Sequence, residues 1–486
     1  DPDVIRVEDT YYMVSTTMHF MPGCEILQSF DLVHWEHVTY VYETLDHTDA
    51  QQLKSGQNIY GQGMWAASLR YHEGRFYICF VANDTRKTYL YTSEKIDGPW
   101  KKQLIEGFYH DGSLLFDEDG RNYIVYGNDE IWITELNEDL TAPKKDGLHR
   151  LLVSDHKNPE LGYEGSHIQK INGYYYIFLV HSLRDRWMRT EACFYSDSLE
   201  GEFTGGDVLC DDRGYCGQGV AQGGIVDTPD GKWYAMLFQD SGAVGRIPIL
   251  LPVTWKDHFP VFGQNGHVPE EIEVHSTRPG YIYQPLVGSD DFCNGLLPRW
   301  QFNHDPDPRY YHLDALQGTY TITTREVCTE LTQAVNTLTQ RMSYPSCAAE
   351  VTVDASALKE GDVAGLCALQ GCYAAVGITK HHGKYEVLML DKKEDGILDM
   401  TEGTVVESHQ MDFRLEADFC NMKDEARCYY RVNKGDWLPI GTVHKLYFKL
   451  DHFTGCRFGL FCYAAEKTGG SACFRDFKYY DVDEIS

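Results

Sequence analysis

Five positions in the first half of the chain share one register, and three of them are carboxylic acids. A short pattern recurs in which a polar turn leads into aromatic and apolar residues, and its marker aromatics are Tyr11, Phe76, Tyr123, Tyr174 and Trp233. Counting back about ten to twelve residues from each marker reaches Asp1, Trp65, Asp111, Glu164 and Gln222. If the five copies surround a common axis, Asp1, Asp111 and Glu164 meet in one pocket.

Three neighbouring carboxyl groups suit hydrolysis of a glycosidic bond. Repulsion between like charges raises the pKa of at least one carboxyl, so one group stays protonated while another is ionised. A glycosidase needs this division, because an acid protonates the leaving oxygen and a base activates water. Two alternatives remain open for these acids: ordinary turn chemistry at Asp-Pro and Asp-Gly, and a hard cation such as Ca²⁺.

Other site chemistries find little support in the sequence. HExxH, EF-hand and CxxC spacings do not occur, and neither does GxSxG, so transition-metal chemistry and a serine nucleophile are disfavoured. His167 follows Glu164 by three residues on a predicted strand. It is a candidate for binding sugar hydroxyls, and a structural histidine is the equal alternative.

The repeat also predicts the architecture. Its copies are EDTYYMVS, HEGRFYICF, EDGRNYIVY, INGYYYIFL and PDGKWYAML, and their marker aromatics lie 65, 47, 51 and 59 residues apart. Each copy reads as a hairpin turn that enters a strand, with a short strand before it. The spacing is typical of four-stranded propeller blades, so we expect an all-β chain that begins with a five-bladed β-propeller. An irregular β-sandwich is the alternative.

The second part of the chain has a different pattern of polar and apolar residues. Residues 263–290 are polar and rich in turns, and beyond them runs such as GTYTITT and RFGLFCYA alternate at period two. This pattern favours a jelly-roll-like β-sandwich. We therefore divide the chain into a catalytic propeller at 1–287 and a C-terminal sandwich at 288–486.

The amino-acid composition limits the kinds of partner that the chain is expected to bind. The 486 residues carry 43 basic and 73 acidic side chains, a formal charge of 43 − 73 = −30. This balance disfavours nucleic acids and anionic membranes, and an uncharged oligosaccharide remains open. No run of 18 apolar residues occurs. The 15 scattered cysteines read as reduced thiols of a cytoplasmic protein, although a removed export signal stays open. The sequence does not reveal the oligomeric state.

With these stretches in view, the chain resembles glycoside hydrolase family 43, the five-bladed β-xylosidases and α-L-arabinofuranosidases. The matching segments are DPDVIRVEDTYYMVSTT, MWAASLRYHEGRFYICF, HDGSLLFDEDGRNYIVYG, GYEGSHIQKINGYYYIF and DTPDGKWYAMLFQDSGAVGRIPILLPVTW. The second half resembles the β-sandwich that follows the propeller in the family's xylosidases, through WQFNH at Trp300 and FTGCRFGLF at Phe453.

The resemblance implies roles for individual residues. Asp1 corresponds to the general base, Asp111 to the acid that tunes the pKa, and Glu164 to the general acid. Trp65 and Arg246 are implied to contact the sugar, and the loop of Phe453 to reach the propeller pocket. Two departures occur: WAASL stands where the family often has WAP, and AQGG replaces a stretch that contains histidine in many members. The second departure puts a channel ion in doubt.

These implications combine into a functional expectation. The chain is expected to be an exo-acting, inverting glycoside hydrolase that releases terminal β-D-xylose, α-L-arabinofuranose or both from plant-derived oligosaccharides. No cofactor is expected to be required, and a structural Ca²⁺ is the option left open. The alternative function is a non-catalytic, carbohydrate-binding propeller–sandwich protein.

Overall fold

The computed structural model describes residues 1–481 and consists almost entirely of β-strands. Short 3₁₀ segments occur at Lys54–Gly56, Gly242–Val244, Leu331–Gln333 and Cys420–Met422. Within this range no helix is long and apolar enough to span a bilayer. All 15 cysteines are free thiols, and most are buried.

Five antiparallel four-stranded sheets form the predicted propeller, which confirms the fold expected from the repeats. Blades 1 and 2 contain β1 (Asp3–Val7), β2 (Thr10–Val14), β4 (Gly23–Ser29), β5 (Glu36–Tyr42), β6 (Met64–His72), β7 (Arg75–Ala82), β8 (Lys87–Ser93) and β9 (Lys101–Ile105), while β3 (Phe20–Met21) lies outside these sheets. Blade 3 contains β10 (Ser113–Phe116), β11 (Asn122–Asn128), β12 (Glu130–Leu136) and β13 (His149–Ser154). Blades 4 and 5 contain β14 (Glu164–Ile171), β15 (Tyr174–Ser182), β16 (Arg189–Ser196), β17 (Thr204–Leu209), β18 (Ala221–Asp227), β19 (Trp233–Asp240), β20 (Arg246–Lys256) and β21 (Phe259–Phe262).

The second strand of a blade is apolar on both faces because it packs against two neighbouring blades. Successive side chains of a strand point to opposite faces. In β7, Ile78 accordingly belongs to the core between blades 1 and 2, whereas Cys79 belongs to the core between blades 2 and 3. Another core, which contains Val4 and Tyr234, joins blade 5 to blade 1. The ion pair of Arg6 with Asp227, 2.5 Å apart, also links these two blades.

The C-terminal part is a sandwich of a nine-stranded and a seven-stranded antiparallel sheet, as expected. Its strands are β22 (Gln301–Asn303), β23 (Tyr311–Asp314), β24 (Thr319–Thr323), β25 (Leu338–Arg341), β26 (Ser346–Asp354), β27 (Asp362–Leu369), β28 (Ala374–His381), β29 (Lys384–Lys392), β30 (Leu398–Met400), β31 (Thr404–Val406), β32 (Gln410–Asp418), β33 (Glu425–Val432), β34 (Leu438–Lys445), β35 (Arg457–Ala464) and β36 (Ser471–Asp481). One large core fills the space between the sheets. The last five residues of the sandwich predicted at 288–486 lie outside the described range.

Two features join the domains more closely than the sequence suggested. The connecting segment returns over blade 1, where Arg278 pairs with Asp9 at 2.9 Å. The short strand β3 then leaves blade 1 and pairs with β22, so that it forms the edge of the nine-stranded sheet. The propeller thus contributes a strand to the sandwich, and this pairing fixes how the two domains meet.

Candidate active site

The innermost strands of three blades carry an irregularity at the same place. The pairing register shifts between Trp65 and Ser68 in β6, between Glu164 and His167 in β14, and between Ala221 and Gly224 in β18. A β-bulge redirects the neighbouring side chains. The site positions of blades 2, 4 and 5 therefore lie at equivalent bulges around the axis.

Gly165 shows why the bulge of blade 4 needs glycine. Its φ is +66°, and a Cβ added there would lie 2.6 Å from Cγ of Gln222. An L side chain is disfavoured in this conformation and would also clash. The N–H of Gly165 donates to Oδ2 of Asp111 at 3.0 Å, so the residue after Glu164 also anchors a second acid of the site.

Asp1 is held by two donors. Nη1 of Arg246 donates to Oδ1 at 2.5 Å, and Oγ1 of Thr16 donates to Oδ2 at 2.6 Å. The same arginine is bound by Asp240, whose other oxygen accepts from Nε of Arg189 at 3.1 Å. Both oxygens of the Asp1 carboxyl group therefore accept a hydrogen bond, and one of the donors belongs to a buried chain of alternating charges.

His110 lies between the other two acids. Its Nε2 is 3.3 Å from Oε2 of Glu164 and 3.5 Å from Oδ2 of Asp111. Nδ2 of Asn128 also donates to Oε2 of Glu164, at 2.7 Å. The two acids expected from the shared register therefore meet through a histidine that precedes Asp111 in sequence.

The electrostatics of this group favour a charged imidazole. The charge of Asp111 raises the pKa of His110 to about 9, against the effect of burial and with help from Glu164. Burial and the charge of Glu164 raise the pKa of Asp111, although His110 opposes them. Burial would likewise raise the pKa of Glu164, but the hydrogen bond and charge of His110, with Arg189 and Arg246, lower it.

An aromatic wall from both domains closes the site. Phe453, in the loop before β35, packs edge-on against Trp65 with ring centroids 5.3 Å apart. The guanidinium carbon of Arg246 lies 4.1 Å from the centroid of Phe453 and 4.5 Å from that of Phe238. Phe453 is buried in this contact, so the sandwich supplies a side chain to the propeller site.

His167 lies deeper, in the central channel, and not beside the acids. Its Nδ1 is 3.1 Å from Oδ1 of Asp3, and Arg70 binds the other oxygen of Asp3 at 2.8 Å. Burial would raise the pKa of Asp3, but the charges of Arg70 and His167 lower it to about 2. This arrangement is the structural alternative considered for His167, and it gives the residue no contact with Asp1, Asp111 or Glu164.

Two groups of side chains near the axis could be considered as ligands of a metal ion: Asp3 with His167, and His110 with Asp111 and Glu164. In the first group, the guanidinium of Arg70 already pairs with Asp3 at 2.8 Å. The negative charge of Asp3 is therefore neutralised, and a cation does not fit beside it. His110, Asp111 and Glu164 offer ligand atoms within 4.8 Å of one another. The charge of Asp111 raises the pKa of this imidazole to about 9, so a cation would have to displace a proton from His110 in order to bind there.

Sequence reasoning missed several residues of the site. They are Thr16, His110, Asn128, Arg189 and Asp240. Only His110 left a signal, because it stands directly before an acid of the shared register. The others come from second and third strands or from turns, whose proximity to the axis depends on how the blades are tilted.

Comparison with known families decides the relationship. The model of glycosyl hydrolases family 43 matches residues 1–260, and that of the β-xylosidase C-terminal concanavalin A-like domain matches residues 289–480. The chain belongs to glycoside hydrolase family 43. It is thus an enzyme of the glycoside hydrolase class, in agreement with the three acids and against the purely carbohydrate-binding alternative.

Individual family 43 relatives match over most of the chain. A solved bifunctional GH43-CE structure from Bacteroides eggerthii is 42% identical with a TM-score of 0.91, and the match covers 100% of this chain and 62% of that one. A β-xylosidase of Formosa agariphila is 26% identical over 99% of this chain and 87% of its own. A non-reducing end α-L-arabinofuranosidase of Bacteroides ovatus is 25% identical over 65% of this chain and 62% of its own.

Proposed function

We propose that this family 43 chain is an exo-acting, inverting hydrolase that removes terminal β-D-xylose, α-L-arabinofuranose or both from plant-derived oligosaccharides. The observation that carries the proposal is the meeting of three acids from blades 1, 3 and 4 beside a wall of Trp65 and Phe453. Asp111 and Glu164 both lie against His110, and the charge of Arg246, which binds Asp1, acts on both of these acids. The relatives named above as a β-xylosidase and an arabinofuranosidase support the choice of sugars.

In this proposal the three acids divide the work. Asp1, kept ionised by Arg246, takes a proton from the attacking water. Glu164 delivers a proton to the leaving oxygen, and Asp111 acts on Glu164 through the charge of His110. Water attacks the anomeric carbon from the face opposite the leaving group, which inverts the configuration.

The aromatic wall supports exo action. Phe453 reaches from the sandwich and covers the side of the site where Trp65 and Arg246 lie. An internal sugar of a long chain needs space on both sides of the cleaved bond. A wall on one side favours the terminal sugar and also excludes bulk water from the reacting groups.

The test is turnover of aryl β-D-xyloside and aryl α-L-arabinofuranoside by the whole chain. We expect hydrolysis of at least one substrate, and proton NMR should show the product first as the anomer opposite to that of the substrate. The Asp1→Asn variant should lose this turnover, whereas Glu73→Gln, at an exposed hairpin position, should keep it. A wild-type protein that binds these sugars without hydrolysing them would overturn the proposal.

We also propose that turnover needs no metal. The support is the positive charge that Arg70 and His110 already place at the two candidate positions. Dialysis against EDTA should leave kcat unchanged, and a loss restored by Ca²⁺ would contradict this. A cytoplasmic location and a lack of nucleic-acid or membrane partners remain proposals that rest on the free thiols and on the charge of −30.

A further inference from the structure

His110 is one of the groups in the site to which neither the repeats nor the family resemblance gave a role. We propose that His110 holds the proton that Glu164 delivers to the leaving group, so that the imidazole, and not Glu164 alone, keeps the acid active at alkaline pH. This inference rests on the proposed function, because it concerns the acid step of the same hydrolysis. His110 acts through Glu164 and is therefore a positioning residue.

The geometry around His110 favours a proton on the imidazole. Nε2 of His110 faces two carboxyl oxygens, Oε2 of Glu164 at 3.3 Å and Oδ2 of Asp111 at 3.5 Å, and a protonated nitrogen suits both of them better than a lone pair does. Oε2 of Glu164 also accepts from Nδ2 of Asn128 at 2.7 Å, which favours the carboxylate form of Glu164. The general acid of the resting enzyme is then ionised, and the nearest acidic proton is the one on Nε2.

The surroundings of His110 keep that proton in place. Asp111 and Glu164 face it with negative charge, while Arg86, in the turn between β7 and β8, is the positive charge that opposes them. The guanidinium carbon of Arg86 lies 3.8 Å from the ring centroid of Phe108, and its charge is the smallest of these influences on His110. On the remaining side lies the uncharged ring of Trp65, at 6.4 Å. The attraction of the two carboxylates outweighs the effects of burial and of Arg86, so the imidazole of His110 keeps its proton.

The step balances without a further reactant. As the glycosidic bond breaks, the proton on Nε2 passes to Oε2 of Glu164 and from Glu164 to the leaving oxygen. His110 is left neutral while Asp1 takes the proton of the attacking water. The side chain of His110 is about one-fifth exposed, so solvent can return a proton to it before the next cycle.

The experiment is the pH dependence of kcat/KM in His110→Gln, measured on a substrate with a poor leaving group. Without the imidazole, the last proton belongs to the Asp111–Glu164 pair, and we expect the alkaline limb to move about one pH unit or more to lower pH. Below the new limb, Glu164 carries its own proton and the rate should stay near that of the wild type.

A structural role for His110 predicts a different result. Removal of a charge that lowers the pKa of Glu164 would then move the alkaline limb to higher pH, or the rate would fall equally at every pH. Either outcome overturns the inference. An aryl glycoside whose leaving group needs no proton should be hydrolysed by His110→Gln within about threefold of the wild-type rate, since the acid step contributes little there. His34→Gln, which removes an exposed histidine–aspartate pair, is the matched control and should shift nothing.

A second measurement needs no variant of His110. Nitrogen NMR of the wild-type histidines should show one imidazole that stays protonated well above pH 7.5 and becomes easier to deprotonate in Glu164→Gln. If every imidazole is neutral at pH 7.5, the inference is wrong. Failure of the proposed function looks different, because the wild type would then hydrolyse no aryl glycoside at any pH.

Discussion

At the scale of single residues, opposing influences act on the pKa of Glu164. Burial favours its protonated form, whereas His110, Arg189 and Arg246 favour the carboxylate. At Asp1, by contrast, both carboxyl oxygens accept hydrogen bonds, one from Arg246 and one from Thr16. The net effect lowers the pKa of Glu164, so the proposed acid needs a neighbouring group from which it can take a proton.

Replacement of the acid and of the base should be distinguishable. Glu164→Ala and Asp1→Asn should each lower kcat by ~10²–10⁴-fold while the fold persists, because each removes one proton transfer. An aryl substrate with a good leaving group should restore part of the rate in Glu164→Ala but not in Asp1→Asn. Kinetics on paired substrates, with melting curves as the control for folding, provide the check. Wild-type turnover in either variant would disprove the assignment.

Asp111→Asn should shift the pH profile to the acid side. The charge of Asp111 is the largest influence that raises the pKa of His110 to about 9, so its removal lowers that pKa. The proton reaching Glu164 is then lost at lower pH, and the alkaline limb of kcat/KM should move down. The measurement is the pH–rate profile of the variant beside that of the wild type. An unchanged or alkaline-shifted limb would contradict this role of Asp111.

At the scale of elements, the loop that carries Phe453 decides how the site is closed. The loop precedes β35 of the sandwich, yet its aromatic ring contacts Trp65 and Arg246 of the propeller. The N–H of Cys456 donates a hydrogen bond of 2.8 Å to the carbonyl oxygen of Ala243 in the propeller. The end of the loop is therefore also fixed to the other domain.

Phe453→Ala should therefore weaken binding more than chemistry. Loss of the ring removes a wall of the site and a contact with Arg246, and we expect KM for short substrates to rise several-fold while kcat changes less. Steady-state kinetics on a disaccharide and on longer oligosaccharides measure both effects. Phe302→Leu, in the sandwich core, is a useful control, because it should alter stability without changing KM. A Phe453→Ala enzyme with unchanged KM would show that the ring does not border the bound sugar.

At the scale of the whole molecule, a cluster of buried histidines lies where the domains meet. His19 of blade 1 packs against His304 and His452 of the sandwich, with ring centroids 4.7 and 5.3 Å away. Burial lowers the pKa of His19, and burial with the neighbouring His452 lowers that of His304 to about 3. The rings of His19 and His304 are therefore neutral in the folded protein at neutral pH.

This histidine cluster should make the protein sensitive to acid. Below the unfolded pKa of about 6.5, the unfolded state binds more protons than the folded state, so the free energy of unfolding falls as pH decreases. For His304 alone the loss is roughly 2 kcal/mol at pH 5. Urea titrations at pH 7.5 and 5 should show this dependence, and His304→Gln should reduce it. His267→Gln, at an exposed position, should not, and equal slopes in both variants would refute the explanation.

Much of the site was accessible from local sequence because propellers repeat. The hairpin turns and the apolar runs after them predicted five blades, and one register selected Asp1, Asp111, Glu164 and Trp65. Arg246 and Phe453 came from the family resemblance, and both contact the site in the structure. Which side chains of a strand face the propeller axis depends mainly on the position of that strand within its blade, and the repeat encodes this position.

Tertiary structure alone decided the rest. Nothing in the sequence shows that β3 leaves blade 1 for the sandwich, because a two-residue strand has too little periodicity to read. The bulge in β14 turns His167 towards Asp3, away from Glu164, although the two residues are close in sequence. The charge of Asp111, its neighbour in sequence, raises the pKa of His110 most, and Glu164 adds to this effect only because the fold brings it from another blade. Sequence patterns fixed which groups reach the axis, and long-range packing and electrostatics decided which of them touch and which of them hold the protons.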